Sequence, residues 1–501
     1  MGTSREVKTP GVKAPPELHE GRWRILSVLL VTVSMSLVGI SIVNVALPSI
    51  QTGLNATDSD LQWVLSGYAL TFGVILVAAG RAGDVLGRGG FYLLGVVLFG
   101  ASSVIAGLAT DVTVLNTARF VQGVGSGILN PQIIGMIQRF FSGAERGRAF
   151  GLYGTVVGLS MGLGPLVGGA LIAVAGETTG WRWTFFVNVP ASIVAISLAI
   201  AWFPRPFFIT SKRSKSDAGA SARTSRTQLD LDPVGIFLLG ASILIILLPF
   251  IQPKGSNWSW MLILVGLVLA AAWVLWELHY RSRGRSPIVD MNIFRSSGFT
   301  NGVVLATGYF FGITGIWVLI ALYMQQELGY SAFEAGLVGV PSAVFAAFSA
   351  RWSGRHVTTY GRRIVTIGII VAITGLLLSV LVIQLQAAGL VNIWWLLVTL
   401  SLIGVAQGSV ISPNQTITLF DTPSEYAGST GGILQTGQRI GSAIGLGVVT
   451  AIAFAVRDNF GWTAAITVSF AVIIVALALC LVVSIRDIFQ RHGYVALVKA
   501  S

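Results

Sequence analysis

Cysteine is nearly absent: Cys480 is the single one in 501 residues. An internal disulfide and a thiolate metal cluster are therefore excluded. Histidine is almost as scarce. His19, His279, His356 and His492 fall in the tails or near expected membrane surfaces, and none stands at a nucleophile–base or metal-ligand spacing. Enzyme chemistry is not expected, and neither is a cofactor. The largest deficit is charge. Asp, Glu, Lys and Arg make up 10% of the chain and apolar residues 54%, a balance no soluble domain of this length shows.

What fills the chain instead is a series of about fourteen apolar stretches, each close to the roughly 20 residues a helix needs to cross a bilayer. They are read at residues 24–47, 62–80, 91–109, 112–136, 147–174, 183–203, 233–250, 260–280, 298–323, 333–350, 363–385, 392–411, 428–456 and 462–485. Of the 32 Lys and Arg, 27 fall in the tails and every second loop, three in the other loops (Arg182, Lys254, Arg457) and two inside spans (Arg119, Arg439). This is the positive-inside bias of a polytopic protein with both termini in the cytoplasm. The net charge of +12 invites a nucleic-acid partner, but its spread along span flanks argues against one. Trp23, Trp63, Trp183, Trp202, Trp260, Trp394 and Trp462 sit near span ends as an aromatic belt. The polar tail followed by a full-length apolar run reads as a retained helix rather than a cleaved signal peptide.

Ser211–Asp230 is rich in Ser, Thr, Lys and Arg, with almost no large apolar residue. It reads as a flexible cytoplasmic linker. The expected fold is thus all-α, with spans arranged as 6+2+6: a tail (1–23), a six-helix bundle (24–205), a linker (206–231), two inserted helices (232–282), a second six-helix bundle (290–486) and a tail (487–501). A weak repeat supports two halves. Gly125-Ser126-Gly127-Ile128-Leu129-Asn130-Pro131 in span 4 parallels Gly408-Ser409-Val410-Ile411-Ser412-Pro413 in span 12. Gly154, Gly158 and Gly162 in span 5 parallel Gly437, Gly441 and Gly445 in span 13, and Gly87-Arg88 parallels Gly361-Arg362. Helical membrane proteins built this way are typically transporters with a central site between the halves.

Four groups of residues carry candidate chemistry. Gly80-Arg81-Ala82-Gly83-Asp84-Val85-Leu86-Gly87-Arg88 places a carboxylate and two guanidiniums at a cytoplasmic helix end; Asp84 with Arg81 or Arg88 could latch one transport state. Arg119, followed by Gln122 and Gly123, lies inside span 4. An arginine there costs roughly 2.5–3.5 kcal/mol on insertion scales and should face an interior. Span 5 carries Gly158 and Gly162, then Gly164-Pro165-Leu166-Val167-Gly168-Gly169; small residues allow close approach and the proline a kink, which suits a hinge at a moving interface. Asn44, Tyr68, Asn130, Gln132, Gln435, Gln438 and Arg439 are polar residues within spans and suggest a weakly polar cavity. None of the 20 Asp and Glu lies near the middle of a span.

These motifs resemble the major facilitator superfamily, and within it the fourteen-span drug:proton antiporters. Gly80–Arg88 resembles the family's cytoplasmic loop motif, Arg119-Phe120-Val121-Gln122-Gly123 its span-4 motif, and Gly164–Gly169 the span-5 motif of exporters. Ile42-Val43-Asn44-Val45-Ala46-Leu47-Pro48 resembles the subfamily's span-1 signature, and Trp181-Arg182-Trp183-Thr184-Phe185-Phe186-Val187-Asn188-Val189-Pro190 its entrance to span 6. The resemblance implies a monomeric exporter of amphipathic small molecules in the plasma membrane, energised by the proton gradient, with Arg119 in coupling. Gly39 stands where the span-1 pattern usually carries aspartate, and Val85 where a base is usual. The first departure leaves open a dedicated exporter or facilitator of a neutral or anionic metabolite.

Overall fold

The computed structural model describes residues 21–176, 178–208, 232–251, 261–285, 287–420 and 426–500. Every regular element among them is helical. The first half contains α1 (Arg22–Leu54), α2 (Asp58–Leu86), α3 (Arg88–Gly107), α4 (Val112–Phe140), α5 (Gly143–Ala175), α6 (Trp181–Phe186) and α7 (Asn188–Trp202). A hairpin of α8 (Pro233–Ile251) and α9 (Met261–Ser282) follows. The second half contains α10 (Ser297–Leu322), α11 (Ala332–Leu337), α12 (Gly339–Tyr360), α13 (Arg362–Ala387), α14 (Leu396–Thr418) and α15 (Ala427–Ala500). The linker expected at 211–230, the tail before residue 21 and Lys254 lie outside the described residues.

The helix ends follow local chemistry. Thr57 opens α2 through a reciprocal cap: Asp60 N donates to Thr57 Oγ1 at 3.3 Å and Thr57 N donates to Asp60 Oδ2 at 2.9 Å. Ser331 and Glu334 repeat the device at α11. Asp60 and Glu334 thus serve as the acidic partners of helix caps. Gly87 (φ 113°) and Gly361 (φ 55°) make the turns before α3 and α13, where a positive φ favours glycine.

Eleven helices among the described residues are long and apolar enough to cross a membrane. Three features separate this figure from fourteen. α15 runs 74 residues through both final expected spans, interrupted only at Gly461 (φ 80°, ψ 173°). α4 is 29 residues long but carries Arg119, Gln122, Asn130, Gln132 and Gln138, and α8, with 19 residues, falls among the shorter apolar helices. α6 and α7 meet at Val187 and together supply one span, as do α11 and α12, which meet at Val338.

The second half has a large apolar core of its own, and the main core of the first half takes in Phe299, Ala306, Leu419 and Leu434 from the second. α8 and α9 pack on each other and on α2 and the first arm of α15, outside the two halves. Trp276 Nε1 donates to Asp232 Oδ1 at 2.9 Å and Trp273 Nε1 to Glu277 Oε1 at 2.8 Å, fastening one end of this hairpin. The outward face of α9 exposes Leu264, Val268, Leu275 and Leu278. Burying each in hydrocarbon is worth about 1.5–3 kcal/mol relative to water. The chain is a multi-pass membrane protein.

The halves meet along two seams, α5 against α12 and α2 against α15. In the first, Gly158 faces Ala346 and Gly162 faces Ala343. In the second, Gly80 abuts Gly428 and Gly432 abuts the backbone of Leu76. The glycines of α5 divide between two faces. Gly164 and Gly168 press instead on Ser41 and Ile42 of α1, because two residues on from Gly162 is about 200° round a helix. Gly169 has open space beside it. The span-13 series does not lie between the halves as its spacing suggested. Gly441 and Gly445 press on the backbone of Thr307 and Phe311 in α10. The symmetry is real, but it relates α1–α5 packing in one half to α10–α15 packing in the other. α5 remains one continuous helix through position 165; the side chain of Pro165 lies outside the described residues.

Candidate functional site

The charged cluster at the end of α2 is fully paired at Asp84 and Arg88. Arg88 Nε donates to Asp84 Oδ1 at 2.9 Å and Arg88 Nη1 to Gly135 O at 2.6 Å. Asp84 then crosses the seam. Gly428 N donates to its Oδ1 at 3.1 Å, and Ser429 N and Oγ donate to its Oδ2 at 3.0 and 3.2 Å. These amides open α15, so the carboxylate sits at the positive end of a helix dipole belonging to the other half. The Asp84 side chain is 1% exposed. Two further bonds cross at the same end: Gln138 Nε2 to Ala427 O at 3.3 Å and Arg146 Nη1 to Leu419 O at 3.4 Å. Arg81 is also buried there, its guanidinium 5.9 Å from the Tyr426 ring.

Arg119 lies inside α4 and is wholly enclosed by the first half. Its Nε donates to Val64 O at 2.8 Å and its Nη1 to Gln122 Oε1 at 2.6 Å, while Gln122 Nε2 donates to Ser103 Oγ at 2.7 Å. The guanidinium lies 4.4 Å over the Tyr68 ring. Snorkelling to the surface is thereby ruled out; the charge is held in place by a carbonyl, an amide and a ring face.

Tyr68 continues the network inward. Its hydroxyl lies 2.6 Å from Ser126 Oγ and 3.3 Å from Ser36 Oγ. Asn130 Nδ2 donates to Ser126 O at 2.9 Å and reaches Ser36 Oγ at 3.5 Å. α1, α2 and α4 thus converge on one cluster of hydroxyls and an amide. Across the seam, Arg439 of α15 lies 4.3 Å over the Phe72 ring, close to the hydroxyls of Tyr68 and Tyr153. Gln435, one turn earlier, approaches Tyr153.

Two of the sequence candidates sit elsewhere or add little. Gln132 donates to Ala79 O at 2.7 Å and to Ile128 O at 3.2 Å, so it rivets α4 to α2. Gln438 is half-buried with no hydrogen bond recorded among the described residues. The side chain of Asn44 lies outside them. Among the described residues no three of His, Cys, Asp and Glu gather as a metal site would require.

Sequence reading missed Ser36, Ser126, Phe72 and Tyr153, residues ordinary in any span. It also missed a buried cluster in the second half. Arg362 Nε donates to Asp487 Oδ2 at 2.7 Å, Arg362 Nη1 to Asn414 Oδ1, Asn414 Nδ2 to Gly302 O at 2.9 Å, and Asn301 Nδ2 to Asp487 Oδ1 at 2.8 Å. The signal was the Gly361-Arg362 echo of Gly87-Arg88. This cluster joins α10, α13, α14 and α15 within one half, so it does not part when the halves separate.

Residues 29–446 match the Major Facilitator Superfamily. The chain is 31% identical over 448 residues to the probable actinorhodin transporter of Streptomyces coelicolor, covering 89% of this chain and 74% of that one. It is 27% identical over 454 residues to the tetracenomycin C resistance and export protein of Streptomyces glaucescens, covering 90% and 79%. In fold it is similar to the proton:xylose symporter XylE, with a TM-score of 0.65 at 16% identity over 92% of this chain and 94% of that one. The sequence match spans both halves and the hairpin between them, and the chain belongs to the major facilitator superfamily.

Proposed function

We propose that the chain is a secondary active efflux transporter. It exports amphipathic small molecules across the plasma membrane by alternating access and draws on the proton gradient. Both termini face the cytoplasm, and one copy of the chain suffices. Fourteen crossings follow if α4 and α8 each cross and α15 crosses twice.

One observation carries the reading: Asp84 of one half caps a helix of the other through three hydrogen bonds at a single end of the molecule. Such a contact can be broken by rocking the halves, whereas Arg362–Asp487 cannot. The small-residue seams let α5 and α12 move past each other with little to unpack. The name of the Streptomyces glaucescens relative, a resistance and export protein, favours outward transport of an organic product. Proton coupling is assigned to the Arg119–Tyr68 network, because Gly39 supplies no acid in α1.

Gly39 also favours a second reading, a dedicated exporter or facilitator of a neutral or anionic metabolite. A Cβ at position 39 would lie 3.2 Å from Phe99 Cζ and 3.6 Å from Asn188 Nδ2, so the place of the usual acid is closed by an aromatic ring.

The test is accumulation of a lipophilic cationic dye and a neutral lipophilic drug in cells expressing the chain, with and without a protonophore. Exclusion that the protonophore abolishes, and that Arg119→Ala loses while still inserting, is the expected result. Exclusion of neither compound by correctly inserted protein would exchange the first reading for the second.

A further inference from the structure

Two arginines lie within spans, and their surroundings differ. Arg119 is saturated by its own half. Arg439 is only part-buried, and none of the five ion pairs among the described residues includes it. Its electrostatic neighbours are the hydroxyls of Tyr68 and Tyr153; no carboxylate is among them. A guanidinium at membrane depth with no counter-charge is costly. It persists where something else completes it.

We propose that Arg439 receives the anionic group of an organic substrate. This rests on the export reading for the existence of a substrate and adds its charge class. Three features fit. Phe72 lies 4.3 Å below the guanidinium and the hydroxyls of Tyr68 and Tyr153 lie near it, so the cation is met by a ring face and hydroxyls and its charge is left unneutralised. Gln435 is 5% exposed and its Oε1 has no hydrogen-bond partner. Thr436, 7% exposed, likewise has an unpartnered Oγ1. Gln435 Oε1 is an acceptor one turn from the cation, suited to a hydroxyl or N–H on the same ligand. The bidentate fork of arginine matches a carboxylate or phenolate better than a point charge would.

The experiment uses the purified full chain in lipid nanodiscs, without a gradient, and two fluorescent probes: 1-pyrenebutyrate and its methyl ester. They share an aromatic body and differ in charge. The wild type is expected to bind the carboxylate at least tenfold more tightly than the ester at pH 7. Arg439→Gln should bring the carboxylate Kd to that of the ester and leave the ester unchanged, while Arg439→Lys keeps part of the preference. Equal weakening of both probes by Arg439→Gln, or no preference in the wild type, overturns the proposal. If Arg439→Gln does not fold, the wild type still decides. Below the probe's carboxyl pKa, about 4–5 as for ordinary side-chain acids, the preference must vanish; a preference that survives protonation refutes the role of charge. Because no gradient is present, charge-selective binding without cellular efflux removes the export reading alone. Energised efflux without charge-selective binding removes this inference alone.

Discussion

Replacing Asp84 with alanine should open the molecule at one end, and the size of the effect follows from the contacts. Three hydrogen bonds cross the seam to this carboxylate, at 3.0–3.2 Å. Bonds to a charged group contribute about 1.5–3 kcal/mol each in isolation. Here they converge on two oxygens, and water replaces them once the halves part. Roughly 2 kcal/mol is a fair net value for closure, which is about a thirty-fold change in the open-to-closed ratio. The bond to Arg88 lies within the first half and is lost equally from both states, so it lowers overall stability without shifting that ratio. Asp84→Asn keeps the shape and a neutral acceptor and should fall between, since charge-assisted bonds are roughly twice as strong as neutral ones. The readout is maleimide alkylation of Ala427→Cys in a Cys480→Ser background, because Ala427 is fully buried in the closed seam. Alkylation about thirty times faster in Asp84→Ala is the expected outcome. Equal rates in two well-folded proteins would show that Asp84 is a fixed staple and not a gate.

Two further substitutions separate sliding from holding. A Cβ at Gly162 would lie 2.1 Å from Ala343 Cβ, so Gly162→Ala should abolish transport in inserted protein, and Ala343→Gly added to it should restore a measurable part. Arg362→Ala strands the buried carboxylate of Asp487 and should cost about 3–5 kcal/mol of stability, seen as a large fall in melting temperature; the relative accessibility of Ala427→Cys should stay as in the parent, since the broken contacts lie within one half.

Much of the architecture was legible because membrane depth writes itself into composition. The α3, α9 and α13 spans were found within a few residues from apolar length alone, whereas α1 runs on to Leu54, past the expected end at Leu47. The turns at Gly87 and Gly361 were legible because glycine was required there. The breaks at Val187 and Val338 were not, because valine says nothing about a helix boundary. The site divides in the same way. Arg119 and Arg439 stood out because a charge in a span is rare. The partner of Asp84 did not, because it is a pair of backbone amides some 344 residues away, marked by nothing but a glycine and a serine. The glycine series was seen correctly as close packing and assigned to the wrong neighbour, since spacing shows that a face is small but not which helix it meets.

The single-residue corner at Gly461 joins the two arms of α15 directly. Its near arm begins at the amides that hold Asp84 and carries Arg439; its far arm carries Asp487, locked to Arg362. Among the residues of α15 only Gly461 leaves helical geometry, so any turn of the near arm against the anchored far arm falls on that one joint, as a hinge rather than a distortion spread along a loop.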